Sequence, residues 1–118
     1  MLFRSATAPN ERERITKISN QIRALAKDTG VPILAVSQLN RPKDRNTNER
    51  PNKFSMKESG SLENDANTIL LIYRPMDDFG RPTGDDEIVI AKQRNGPVSN
   101  EAVRFDARTM TFYERKTA

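Results

Sequence analysis

The chain has 118 residues, the size of one ordinary domain, which is enough to bury a modest hydrophobic core. It contains neither cysteine nor histidine, so the sequence excludes a disulfide framework, a thiolate metal site and the usual histidine general base. Because no apolar run approaches the roughly 18 residues of a membrane span and the N-terminus is too short and polar for a signal peptide, we expect a cytoplasmic protein without a membrane partner or a metal site.

The net charge of +4 is concentrated in one segment. Residues 41–57 contain six basic and two acidic side chains, so this segment alone accounts for the whole excess. A concentrated positive segment attracts polyanions, but it is equally typical of a solvated loop. Composition alone therefore leaves a nucleic-acid contact and a solubilising loop as open interpretations.

Residues 10–29 are predicted to form one amphipathic helix. Asn10 and Glu13 have the spacing of an N-terminal capping pair, and Gly30 stands where a left-handed residue ends a helix. We expect the apolar face of this helix to pack in the core. Its members recur at spacings of three and four residues and are Ile15, Ile18, Ile22 and Leu25.

The helix is followed by a nearly continuous apolar run at residues 31–36, which favours a strand buried on both faces of a parallel sheet. The run ends at the polar residues Ser37 and Gln38. Ligands of open α/β sheets bind beyond the carboxyl ends of the strands, so Gln38 is a candidate ligand contact. An ordinary transition from strand to loop explains the same position.

The remaining sequence predicts a long loop, a short helix and four further strands. Polar residues 39–54 are typical of a functional or disordered loop, and residues 55–66 indicate a short helical segment around Ser59-Gly60-Ser61. The strands are predicted at residues 68–73, 87–91, 101–105 and 110–114, with a turn-rich connection at 74–86 and a basic turn at 92–97. The predicted fold class is α/β, with a mostly parallel sheet, flanking helices and a C-terminal antiparallel β pair.

Three polar motifs, each beside a predicted strand or in the long loop, carry a family resemblance. They are Ser37-Gln38-Leu39-Asn40-Arg41, the segment from Arg50-Pro51 through Lys57-Glu58-Ser59-Gly60-Ser61 to Ala66, and Ala91-Lys92-Gln93-Arg94-Asn95-Gly96-Pro97. Each motif is weak by itself, but their order and spacing resemble the DnaB family of hexameric replicative DNA helicases over roughly residues 10–113. The resemblance implies a partial RecA-like fold, with residues 1–118 forming the C-terminal half of a helicase motor domain.

The resemblance also implies how the chain would contact ATP. Gln38 matches the glutamine that senses the terminal phosphate, which a neutral amide can do without placing a fixed charge there. Lys92 and Arg94 match the basic pair that reaches the ATP of a neighbouring subunit, with Arg94 as the arginine finger. Two exposed basic residues in a turn are the alternative interpretation.

A further implied role is contact with single-stranded DNA. Lys57, Glu58, Ser59 and Gly60 match the loop that lines the ring channel, and Arg50 lies in the same basic segment. Gly60 would let main-chain N–H groups approach a phosphate closely. Lys57 stands where many family members carry arginine, which keeps the charge but loses bidentate geometry.

The family's cofactors are ATP and Mg²⁺, and its partners are single-stranded DNA and identical or related subunits in a ring. No G-x-x-x-x-G-K-[ST] string occurs in the chain, and the acidic strand-end residue that supports magnesium is absent as well. We therefore expect the chain alone to bind neither cofactor and not to hydrolyse ATP. The alternatives are a non-catalytic DNA-binding or assembly module derived from a RecA-like ATPase, and a related ATPase outside replication. The motifs favour DnaB over the latter.

Overall fold

A computed structural model of the chain describes residues 10–39, 50–52 and 60–116, and these fall into two compact units. The first unit holds the helices α1 (Glu11–Thr29) and α2 (Gly60–Asp65). The second holds four strands, which are β1 (Thr68–Tyr73), β2 (Glu87–Gln93), β3 (Ser99–Asp106) and β4 (Thr111–Glu114). Neither helix of the described ranges is long and apolar enough to cross a membrane.

Helix α1 begins and ends where its capping residues predict. The Asn10 side chain accepts a hydrogen bond from the Glu13 backbone N–H at 2.8 Å, which satisfies one of the free amides of the first turn. Gly30 adopts a left-handed conformation with φ of 67°, and its N–H donates to the Ala26 carbonyl at 2.9 Å. Both predicted caps are therefore confirmed.

The predicted apolar face of α1 is not a buried core in the described part of the chain. Ile15, Ile18 and Ile22 are only half-buried, and Leu25 is exposed. The buried residue of α1 is Ser19, which is 3% exposed. The described element that packs on α1 is the short polar helix α2, so the burial falls on the polar side of the stripe rather than on the isoleucines.

The strand predicted at residues 31–36 is not present. Val31, Ile33, Leu34 and Val36 are all exposed, and the segment has no assigned secondary structure. A strand exists only where a neighbour completes its backbone hydrogen bonds, and none of the four described strands pairs with this segment. The apolar run indicates what the segment would bury, but it does not supply the partner.

The sheet has the order β1-β2-β3-β4, and every neighbouring pair is antiparallel. The prediction of a mostly parallel sheet is therefore wrong. Parallel neighbours need a crossover connection, usually a helix, whereas the connections at 74–86, 94–98 and 107–110 contain none and fold each strand back on its neighbour. The predicted C-terminal antiparallel pair is confirmed, with Phe105 opposite Phe112.

The sheet buries one face of β1. Ile69 and Leu71 are buried together with Val89 of β2, whereas Leu70 and Ile72 are each 54% exposed. Side chains alternate across a strand, so this pattern is that of a sheet covered on one side. The continuous apolar run at 68–73 predicted burial on both sides, and the described residues bury only one.

Asp86, just before β2, joins that strand to β3. It is 1% exposed, its carbonyl accepts from the Val103 N–H at 2.9 Å, and its Oδ2 accepts from the Phe105 N–H at 2.9 Å. The Nε atom of Arg74 lies 3.5 Å from Oδ1, and the Arg74 guanidinium stands 4.5 Å from the centroid of the Phe105 ring. This carboxylate therefore extends the pairing of β2 with β3 beyond the last backbone partner.

Candidate functional site

The basic turn after β2 presents Lys92 and Arg94 differently. Lys92 lies within β2 opposite Ile69 and is half-buried, whereas Arg94 is the first residue of the turn and its side chain is exposed. The Arg94 backbone N–H donates to the Asn67 carbonyl at 3.0 Å, just before β1. The main chain that carries the predicted arginine finger is thus anchored, while its guanidinium projects into solvent.

A β-bulge lies immediately before this turn. The register of β1 with β2 passes from Ile69 opposite Lys92 to Leu70 opposite Ile90, so Ala91 is the additional residue. Bulges bend a strand and turn the side chains that follow, and they are common beside functional sites. The direction in which the basic pair leaves the sheet is therefore set by this irregularity, which the sequence pattern did not indicate.

Gln93 closes the turn over Gly96. A Cβ atom placed on Gly96 would lie 2.8 Å from the Gln93 Cδ atom, closer than real Cβ contacts allow. The side chain of Gln93 therefore occupies the space that a larger residue would need. Sequence reasoning missed this role, although a glutamine three residues before a glycine in a predicted turn could have suggested it.

Arg50 lies at the other end of the β1–β2 pair. Its Nε donates to Glu87 Oε2 at 2.7 Å and its Nη2 to Oε1 at 3.0 Å, which makes a two-point ion pair. Its guanidinium also stands 5.5 Å from the centre of the Tyr73 ring. Tyr73 and Glu87 are partners at one end of the register, so the structure does not bring Arg50 to Lys92 at the opposite end.

The ion pair shifts both pKa values. The hydrogen bond to Glu87, and then its charge, raise the pKa of Arg50 above its ordinary value. The hydrogen bond from Arg50 lowers the pKa of Glu87, burial opposes that change, and the charges of Arg50 and Arg115 add to it. Arg50 was predicted to bind DNA, and its charge is already compensated by this carboxylate.

The other predicted residues lie in the first unit or outside the described residues. Gln38 is exposed, at the end of the extended segment after α1. Gly60 is the first residue of α2 and is exposed, and a Cβ placed on it would meet no described atom within 4 Å. Lys57, Glu58 and Ser59 precede Gly60 and lie outside the described residues.

Three polar contacts join α2 to α1. Ser19 Oγ donates to Asp65 Oδ2 at 2.7 Å, and Arg23 Nη1 lies 3.2 Å from Asp65 Oδ1. At the other end of α2, the hydroxyls of Thr16 and Ser61 are 2.8 Å apart. Sequence reasoning missed this cluster, which we call the α1–α2 polar contact. Its signal was the spacing of three and four residues between positions 16, 19 and 23, the same that placed the isoleucines on one face.

The structure also contains an open groove of about 480 Å³ over the β3–β4 hairpin, lined by residues 100–103 and 112–115. None of the residues predicted to contact ATP or DNA lines it. The groove is therefore separate from the basic turn and from Gly60 in its membership, and we assign it no part in the candidate site.

Comparison with solved structures identifies the class of fold. The chain is similar to the solved ATPase domain of another protein, with a TM-score of 0.78 and 31% identity, over 94% of this chain and 40% of that one. It is also similar to a DnaB-like replicative helicase solved in a study of its interactions with primase, with a TM-score of 0.75 and 31% identity, over 94% of this chain and 27% of that one. The fold is therefore an α/β fold of the RecA-like helicase ATPase class.

Sequence comparison then gives the family. The family model for the DnaB-like helicase C-terminal domain matches residues 1–114, and the chain belongs to this family. The replicative DNA helicase DnaB of Haemophilus influenzae is 39% identical over 109 residues, and that of Geobacillus stearothermophilus is 38% identical over 100. These matches cover 91% and 81% of this chain but only 23% and 22% of the relatives, so the chain spans less than a quarter of their length.

Proposed function

We propose that this chain supplies the C-terminal half of the motor domain of an ATP-dependent replicative DNA helicase that works as a ring. In this proposal the chain carries a phosphate sensor, a DNA-contacting segment and an arginine finger. The observation that carries the proposal is the anchored turn that presents the exposed Arg94 side chain directly after Lys92 and β2.

The basic turn suits the phosphates of a nucleotide bound by a neighbouring subunit. A guanidinium spreads its charge over several donors and matches the charge of a transferring phosphoryl group, and the fixed main chain of Arg94 lowers the entropy cost of placing it. Gln38, exposed at the end of its segment, would donate its amide to the terminal phosphate.

The fit to Mg²⁺ differs from the fit to ATP. Within the described ranges, no group of three or more carboxylates could hold a metal ion. Lys92 and Arg94 can neutralise phosphate oxygens, but magnesium ligands have to come from other residues of a complete helicase. When bound, Mg²⁺ would neutralise charge on the β- and γ-phosphates, and the part of this chain would be to orient and neutralise the same phosphates from the other side.

We propose that the segment Lys57, Glu58, Ser59 and Gly60 contacts the backbone of single-stranded DNA. The open space around Gly60 supports this, since a phosphate could approach its main chain without meeting a side chain of the described residues. Arg50 has a weaker part, because a phosphate would have to compete with Glu87 for its guanidinium.

Replacing Lys57 tests the DNA contact. The chain should bind a labelled single-stranded oligonucleotide weakly, with little sequence preference, and with an affinity that falls steeply as salt rises. Lys57→Ala should weaken binding and reduce the salt slope by about 1, because one phosphate contact is lost. Lys27→Ala removes the same charge from the exposed last turn of α1 and serves as the control. Equal effects of the two variants, or salt-independent binding, would contradict the assignment.

Mixed rings test whether Arg94 acts on a neighbouring subunit. In a full-length version of this helicase, one subunit type would carry Arg94→Ala and the other a disabled P-loop lysine. If Arg94 acts in trans, hydrolysis should follow the number of interfaces that pair an intact finger with an intact P-loop. Hydrolysis that follows only subunits carrying both intact elements would show that Arg94 does not act on a neighbour.

A second candidate function is a non-catalytic single-stranded-DNA-binding or assembly module. The absence of a G-x-x-x-x-G-K-[ST] string from the 118 residues favours it. Inspection of the coding region upstream of Met1 separates the two. An in-frame P-loop favours the helicase motor, and a genuine start with no partner gene favours the module.

A further inference from the structure

Helix α2 depends on α1 for its position. It has only six residues, and a helix this short has too few internal hydrogen bonds to persist by itself. No residue of α2 is buried, so its attachment to α1 relies on polar groups rather than on an apolar interface. The α1–α2 polar contact holds both of its ends, through Ser61 at the start and Asp65 at the end.

Asp65 is the last residue of α2, where a negative charge is unfavourable to the helix because the final carbonyl groups already carry partial negative charge. Its presence there is explained by what it accepts. Ser19 donates to it at 2.7 Å, a short hydrogen bond to an ionised acceptor, and Arg23 adds an ion pair at 3.2 Å.

The two donors to Asp65 do not contribute equally. Ser19 is 3% exposed, so its hydroxyl is shielded from water and would be left without this partner if Asp65 moved. The Arg23 side chain is 62% exposed, and an ion pair at such a surface contributes little. The hydrogen bond of Ser19 is therefore the main restraint on the end of α2.

We propose that Ser19 and Asp65 are positioning residues for DNA binding. By holding α2 against α1 they fix Gly60, the first residue of α2, and thereby the end of the segment 57–60. Neither residue touches DNA in this proposal. The inference rests on the proposed DNA contact, and it adds that the affinity of that contact is set in part from the α1 helix.

The salt dependence of binding separates positioning from direct contact. The slope of log affinity against log salt counts the phosphate charges that the protein neutralises. Ser19 carries no charge, so replacing it changes no electrostatic term. A poorly held segment should bind more weakly at every salt concentration, with the slope unchanged.

The test uses the whole chain and a labelled oligothymidine as the probe. Ser19→Ala should weaken binding by about three- to tenfold, the size expected for losing one hydrogen bond to a charged group. Asp65→Ala should weaken it similarly, and the double variant should bind no worse than the weaker single one, because both changes remove the same hydrogen bond. The salt slope of all three should equal that of the unsubstituted chain.

Thr29→Ala is the matched control. The Thr29 hydroxyl also lies on α1, but it donates to the Leu25 carbonyl of its own helix and makes no contact with α2. This variant should bind the oligonucleotide as the unsubstituted chain does. Circular dichroism and the thermal midpoint would establish that each variant is folded, and if Ser19→Ala does not fold, Asp65→Asn, which keeps the shape and loses the charge, decides the question.

The outcomes separate this inference from the function on which it rests. If Lys57→Ala weakens binding while Ser19→Ala stays within twofold of the unsubstituted chain, the DNA contact stands and the positioning role is overturned. A salt slope reduced by Ser19→Ala as much as by Lys57→Ala would also overturn it. No binding by the unsubstituted chain, or no effect of Lys57→Ala, would overturn the proposed DNA contact itself.

Discussion

Glu87 connects one end of the sheet to the charge of Arg50, and the pair makes stability depend on pH. Because the folded-state pKa of Glu87 is lowered, chiefly by the hydrogen bond from Arg50, the folded chain holds this carboxylate ionised where the unfolded chain would already protonate it. The contribution is fully present above the unfolded pKa and is lost as pH falls through the folded pKa.

We expect acidification to lower the denaturant midpoint of the chain, and Glu87→Gln to flatten that dependence. The glutamine cannot be ionised, so its interaction with Arg50 no longer changes with pH. Glu114→Gln, at an exposed position of β4, is the control and should leave the dependence unchanged. Equal pH profiles for all three proteins, measured by urea denaturation from neutral to acidic pH, would show that the ion pair does not stabilise the fold.

Single residues were predictable from the sequence where their partners are near in the chain. The caps at Asn10 and Gly30 depend on residues three and four positions away, so local spacing was enough. Ser19 and Asp86 have partners 46 and 19 positions away, and no local pattern indicates such pairs. For the same reason the ion pair of Arg50 with Glu87 was missed and its side chain was assigned to DNA alone.

At the scale of elements, hydrophobic periodicity located the helix and strands but not their arrangement. The strand at 68–73 was predicted with its observed bounds, and β2 to β4 differ from their predictions by a few residues. A run of apolar residues in a strand does not specify the direction of its neighbour. The prediction of a parallel sheet took continuous hydrophobicity as the decisive sign, whereas the connections without helices determine the direction.

The capping of α1 provides a test at this scale. Asn10→Ala should lower the stability of the helix by about 1 kcal/mol, because the Glu13 amide loses its acceptor. Asn20→Ala makes the same replacement at an exposed interior position, where alanine is the better helix former, and should raise stability by roughly a few tenths of a kcal/mol. Thermal unfolding followed by circular dichroism should therefore give shifts of opposite sign. Shifts of the same sign would mean that the cap contributes nothing.

For the whole molecule, burial is small in the part of the chain that the structure describes. The buried hydrophobic residues there are Ile69, Leu71 and Val89, and residues 31–36 remain exposed. The exposed apolar segment is what the sequence predicted to be a core strand, so the prediction identified a surface in need of a partner but could not supply the partner. We expect the chain by itself to be marginally stable or to associate, as strands with open edges do.

The isolated chain should not hydrolyse ATP. Its 118 residues contain no P-loop string, and Arg94 has no phosphates to neutralise unless another chain holds them. Steady-state phosphate release should match that of a buffer blank. Turnover well above the blank that is lost in the Arg94→Ala variant would contradict this and would indicate a nucleotide site that the sequence does not reveal.

The carboxylate of Asp86 has a consequence for amide hydrogen exchange. In most of a sheet an amide becomes accessible to solvent protons only when two strands separate, so neighbouring amides open together. The Phe105 amide instead donates to a side chain, and rotation of that one side chain would release it while the Val103 amide stays bonded to the Asp86 carbonyl. The two amides lie two residues apart on β3, yet their exchange rates report different motions, one of a side chain and the other of the sheet.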